Sequence, residues 1–136
     1  MLCVKFTVFA WLIEGFNNSS KYVASYDSDK FLVNHEYKGV FKLTLDKEFT
    51  KVIDLKKDNS VSKGLHSSLI DYQDKILYSS KKGVYLFDKK ADAFKRDSVY
   101  SQLIFEDNYV SGALAYDKSS NKLWSFSEEN INYLTP

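Results

Sequence analysis

Apolar and polar residues alternate at every second position in several short stretches of this chain, and clusters of Lys, Ser, Asn and Asp separate those stretches. In "GVFKLTL", Phe41, Leu43 and Leu45 alternate with Lys42 and Thr44. A period of two is that of a half-buried strand. "KFLV", "KILY" and "KLWSF" are short apolar runs rich in β-formers. They predict strands buried on both faces. "FTKVIDL" and "AFKRDSV" predict one further strand each. No stretch sustains a three-to-four spacing of apolar residues between proper caps. The pattern therefore predicts an all-β protein.

These strands recur. "KFLVNHEYKGVFKL", "KILYSSKKGVYLFD" and "KLWSFSEENINYL" align on their turns, with Gly39, Gly83 and Asn130 separated by 44 and 47 residues. Gly and Asn tolerate a positive φ, so one turn conformation could serve all three. A second marker precedes each turn: Tyr26, Tyr72 and Tyr116, each followed by a polar turn and then Lys30, Lys75 or Lys122. Four antiparallel strands repeating every 40 to 50 residues is the pattern of a β-propeller blade, which is favoured over a simple β-sandwich. The predicted layout is a non-matching segment at 1–19 and an incomplete propeller over 20–136. Its blades fall at about 20–62, 63–106 and 107–136, some two and a half in all. Propellers close with roughly four to eight blades. The chain is then expected to meet remaining blades or other copies of itself.

Composition narrows the class. The 136 residues are 44% hydrophobic and 16% aromatic, enough for one packed domain rather than a disordered chain. Nineteen basic against eighteen acidic residues leave a net charge of +1, so no field of one sign exists to attract nucleic acid or an anionic membrane. The pairs Lys56, Lys57 and Lys89, Lys90 are assigned to solvated turns. The lone Cys3 cannot form an internal disulfide, and it precedes the apolar run "FTVFAWLI" rather than following it, which fits lipidation poorly. That run of eight residues is too short to span a bilayer, and no convincing cleavage site follows it.

The repeated segments resemble the two-component regulator propeller repeat. In that family an apolar-Trp-apolar-Gly/Ser-Thr/Ser strand is joined by a turn to Gly-apolar-x-apolar-Asp. "ILYSSKKGVYLFD" is similar throughout, and "FLVNHEYKGVFKL" has a turn one residue longer. "LWSFSEENINYL" keeps the Trp as Trp124 but has Asn130 in place of the glycine. The resemblance covers residues 20–136 and is greatest to the sensor propellers of Bacteroidetes-type regulators. It implies a non-catalytic, periplasmic sensor, with a kinase or helix-turn-helix output elsewhere in the larger protein. The alternative expectation is a stand-alone interaction module that completes its ring by oligomerising.

Nothing in the chain predicts catalysis, a metal or a cofactor. Two histidines 31 residues apart and one cysteine make no zinc pattern, and no G-x-S-x-G or glycine-rich phosphate loop occurs. The acidic pairs Glu106, Asp107 and Glu128, Glu129 are adjacent in sequence, so on a strand their side chains would diverge. Trp124, Tyr78, Phe31, Tyr85 and Phe87 are assigned to the core between blades. In a propeller the second-to-third strand turns (34–38, 79–82, 127–129) share a face with the connections 56–66 and 98–110. Ligands commonly sit on that face. Candidate ligand-binding residues there are His35, Tyr37, His66, Tyr100, Asn108 and Tyr109, with a carbohydrate or peptide as the ligand.

Overall fold

The computed structural model describes residues 13–17, 20 and 22–134, and on these the chain is built from three antiparallel sheets. Sheet 1 contains β1 (Tyr22–Ser25), β2 (Lys30–His35), β3 (Gly39–Leu45) and β4 (Val52–Lys57), hydrogen-bonded in chain order. Sheet 2 repeats that order with β5 (Ser68–Tyr72), β6 (Lys75–Ser80), β7 (Gly83–Asp88) and β8 (Ala93–Asp97). Sheet 3 contains β9 (Tyr109–Asp117), β10 (Lys122–Ser127) and β11 (Ile131–Leu134). The first strands are neighbours, β1 lying against β5 and β5 against β9. The one helical turn α1 (Ser98–Ser101) is too short to leave a periodicity in the sequence. Asp97 caps it, its carboxylate accepting from the Tyr100 N–H at 2.8 Å. A 3-10 turn at Glu106–Asn108 carries the exposed Glu106 and Asp107. Residues 1–12, including Cys3 and most of "FTVFAWLI", lie outside the described residues. Lys56 and Lys57, assigned above to a turn, instead end the exposed strand β4.

Two cores hold the sheets together, and strand alternation dictates which residues enter each. Between sheets 1 and 2, Ala24, Leu32 and Val40 meet Leu69, Ile76, Tyr78 and Phe94. Between sheets 2 and 3, Tyr72, Leu77 and Val84 meet Leu114 and Leu123. Sheet 2 is thus apolar on both faces, as the runs of large residues predict. A polar staple crosses the first interface. Asp58, 1% exposed, takes hydrogen bonds from the backbone N–H and the hydroxyl of Ser60. That same Ser60 oxygen accepts from the Phe94 N–H of β8 at 2.7 Å. The ammonium of Lys42 lies 3.3 Å from Asp58 and 3.1 Å from Asp92 in the β7–β8 turn. Removing one partner of such a buried pair strands the other's charge, so the staple ties the two sheets at a defined offset.

Two details of the repeat are corrected. Lys30, Lys75 and Lys122 each begin the second strand of a sheet, and Lys30 and Lys75 stand opposite Tyr26 and Tyr72. Lys122, however, pairs with Asp117, and Tyr116 pairs with Leu123. Tyr116 is therefore one residue out of phase and points to the opposite face, back onto the Tyr72 ring, with centroids 4.8 Å apart. The turns differ too. Gly39 and Gly83 have φ of 107° and 134°, but Asn130 is not among the residues with positive φ. The third turn is closed instead by the Ser127 hydroxyl, which accepts from the N–H groups of Glu129 and Asn130.

One predicted core residue faces outward although its strand keeps its phase. Trp124 is half-buried on the face turned away from sheet 2, packed on Tyr133 at 5.1 Å. Tyr78, by contrast, is 1% exposed, and Tyr85 and Phe87 pack against the first core as predicted. Phe31 is half-buried and meets Phe49, centroids 6.3 Å apart.

Candidate functional site

A cleft of about 220 Å³ opens at the end of the sheets where the β2–β3 turn, the 58–67 connection and the first strands converge. Its floor is the end of β2. Asn34 is 3% exposed, and its Nδ2 donates to the Ser67 carbonyl and hydroxyl at 3.1 and 3.0 Å. A carbonyl oxygen can only accept, so this contact fixes which end of the amide is nitrogen. Oδ1 is then the free end, and it is buried with no hydrogen-bond partner among the described residues.

Beside it stand His35, the last residue of β2, and the turn residues Glu36 and Tyr37. The Tyr37 N–H donates to His35 Nδ1 at 3.2 Å, and the two rings meet edge to face at 6.2 Å. Tyr37 is 63% exposed, an open aromatic surface at the rim. Tyr22 of β1 and Ser111 of β9 supply the remaining wall.

His66 closes the cleft from the connection and is gripped on both sides. Its N–H donates to a Glu36 carboxylate oxygen at 2.8 Å, and its carbonyl accepts from the Tyr109 hydroxyl at 2.7 Å. Its φ of 61° is left-handed, a conformation in which His is enriched among non-glycine residues. Burial pushes the Tyr109 hydroxyl up to about 12, so it stays protonated and remains a donor through the neutral range.

Of the six candidates from sequence, His35, Tyr37 and His66 line this cleft, and Tyr109 supports it from behind. The other two do not join them. Tyr100 sits in α1 and packs into the second core, its ring 6.0 Å from that of Tyr72. Asn108 ends the 3-10 turn, where its carbonyl accepts from the Glu128 N–H at 3.0 Å. The sequence reading missed Tyr22, Asn34, Glu36, Ser67 and Ser111. Asn34 had a signal: it is an amide at an inward position of a strand whose neighbours are apolar, and a buried amide must find partners.

A second groove, about 310 Å³, lies at the opposite end between sheets 1 and 2. Two pairs of its charges meet one another, Lys42 with Asp92 and Lys56 with Asp54. Lys42 is fixed by Asp58 and Asp92, and Asp54 lies 3.8 Å from Lys56. It has the character of a solvated seam between sheets.

Among the described residues no group of three or more His, Cys, Asp or Glu side chains is placed to hold a metal ion, and no helix is long and apolar enough to cross a membrane. The first cleft offers hydrogen-bond acceptors, one carboxylate and aromatic edges, which is chemistry for holding a ligand. Compared with family models, curated proteins and solved structures, the chain matches none of them.

Proposed function

We propose that this chain is a run of β-propeller blades that binds a ligand without catalysis, as the sensing part of a two-component-type regulator of transcription. The resemblance of the repeat to that family, with its periplasmic sensor domains, motivates the regulatory assignment. Three features support the blade arrangement: the shared strand order of the three sheets, the adjacency of β1, β5 and β9, and the face-to-face cores. The observation that carries the binding role is the cleft itself, where an unpartnered buried amide oxygen meets an exposed aromatic ring at the end predicted from the turns. Buried polar groups are nearly always satisfied, and a ligand is one way to satisfy them. The test is an NMR titration of the labelled chain with panels of oligosaccharides and short peptides. Shifts at residues 34–37 and 66–67, lost in Tyr37→Ala, are expected. Saturating panels that leave those residues unmoved would end the proposal.

A second reading, a module that completes its ring with other copies of itself, has its own observation. Val40 and Val84 occupy equivalent positions facing the next sheet and are fully buried, whereas Ile131 at the same position of sheet 3 is 67% exposed. Sedimentation of the purified chain tests this. A discrete oligomer dispersed by Ile131→Asp supports it, and a monomer at all concentrations removes it.

A further inference from the structure

We infer that the cleft at the β2–β3 end is built for a positively charged group, the guanidinium or ammonium of a basic peptide side chain. This rests on the ligand-binding role proposed above and narrows its chemistry. The donor and acceptor inventory carries the inference. Among the described residues no Lys or Arg lines the cleft, and its one carboxylate is that of Glu36. One Glu36 oxygen already accepts from the His66 N–H, but an ionised carboxylate has about four lone-pair sites. The His66 Nδ1 lies 3.8 Å from that same oxygen, which leaves the second oxygen for a ligand, and the Glu36 side chain is 30% exposed.

Asn34 adds a second acceptor. Its Nδ2 is committed to Ser67, so what it leaves over is an oxygen. Two donors beside these acceptors are spent within the protein. The Ser20 hydroxyl donates to the Asn34 carbonyl, and the Tyr37 N–H donates to His35. A ligand that engages Glu36 and the Asn34 oxygen must bring donors. A guanidinium brings five and an ammonium three, each with the charge that makes a carboxylate contact strong.

Shape and surface agree with this. A volume near 220 Å³ accommodates one long side chain rather than an extended oligosaccharide. The walls of Tyr22, His35 and Tyr37 present aromatic rings. Such rings accept the apolar stem of Lys or Arg and, over a Tyr face, the cation itself. An anionic ligand would face Glu36 with no lysine or arginine among the described lining residues to compensate it.

The experiment titrates the labelled chain with N-acetyl-arginine amide, an Arg-containing tripeptide, its citrulline counterpart and a neutral oligosaccharide panel. The arginine probes are expected to shift residues 34–37 and 66–67, to weaken as salt rises, and to bind Glu36→Gln at least tenfold more weakly. The citrulline peptide, equal in shape but uncharged, is expected to bind no better than Glu36→Gln binds arginine. Circular dichroism of Glu36→Gln checks that the fold is retained. If citrulline and arginine peptides bind alike, or neutral sugars bind with no sensitivity to Glu36→Gln, the cationic assignment is overturned while the cleft keeps its binding role. If no probe moves the cleft, both fail.

Discussion

Sheets 2 and 3 carry the same strand order, yet their apolar residues have different fates. Leu77 and Val84 in sheet 2 are fully buried because sheet 3 covers their face. Their counterparts in sheet 3, Trp124 and Ile131, face away from the protein, with Ile131 67% exposed. The residue types are alike, so composition does not explain the contrast. Burial in a stack of sheets is decided by the neighbour that covers a face, and a middle sheet has two such neighbours.

The contrast can be broken most forcefully at the staple on the other side of sheet 2. Asp58→Ala removes a 1% exposed carboxylate, takes the acceptor from Ser60 and leaves Lys42 with Asp92 alone. Urea denaturation is expected to show a loss of about 3 kcal/mol or more. Next, Leu77→Ala is expected to cost about 2–5 kcal/mol as a cavity in a closed core. The matching Ile131→Ala should stay within about 0.5 kcal/mol, as surface changes do. Equal losses at these two sites would mean that something covers sheet 3 in solution.

The turns sharpen the comparison at smaller scale. The Ser101 hydroxyl accepts from the Val84 N–H at 2.9 Å and donates to the Val84 carbonyl at 3.1 Å, fastening α1 to β7. Ser101→Ala leaves that buried N–H unpaired, a cost of about 1–3 kcal/mol by thermal melting. In sheet 3 the Ser127 hydroxyl serves an exposed turn, and Ser127→Ala is expected to cost less than about 1 kcal/mol.

The smallest effect is one the sheets share. Each has a half-buried aspartate at the end of a strand, leading into a turn, whose carboxyl is held below its ordinary value by hydrogen bonds. For Asp46 the largest contribution is the Thr50 hydroxyl, for Asp88 the Ala91 N–H, and for Asp117 the Ser120 hydroxyl. A lowered folded-state value stabilises above the unfolded value near 3.8, and the contribution fades as pH falls through the folded value. Denaturation midpoints are expected to decline below about pH 4, with a shallower decline in Asp46→Asn. A midpoint that rises on acidification would contradict these assignments.

Much of this architecture is legible in the chain because the relevant signals are local. Alternation at Phe41, Leu43 and Leu45 marks a strand, and Gly39 and Gly83 mark turns that need positive φ. Gly83 is doubly constrained, since a Cβ there would approach the Ser101 hydroxyl to 2.8 Å. The misplacements arise where phase is set at a distance. A tyrosine before a polar turn looks the same whether it faces forward like Tyr72 or backward like Tyr116. The difference is made by the longer β9–β10 turn, in which Asn121 takes a left-handed φ of 55°. Trp124 keeps the phase of Leu77 and differs only in that no described sheet covers its face.

In the cleft, His35, Tyr37 and His66 stood out as ring residues beside turns. Glu36 resembles any solvated turn carboxylate until His66, thirty residues on, donates to it. Tyr100 looked like a loop residue because one turn of helix leaves no pattern, and the second core then claims its ring.

His66 takes on a different significance as a point of mechanical contact. Its peptide N–H is held by the β2–β3 turn of sheet 1 and its carbonyl by Tyr109, the first residue of sheet 3. Two sheets that do not adjoin are thereby strung to one backbone unit, whose left-handed φ sets the span between them. The cleft carboxylate and the head of sheet 3 are thus held by the two ends of a single residue's backbone.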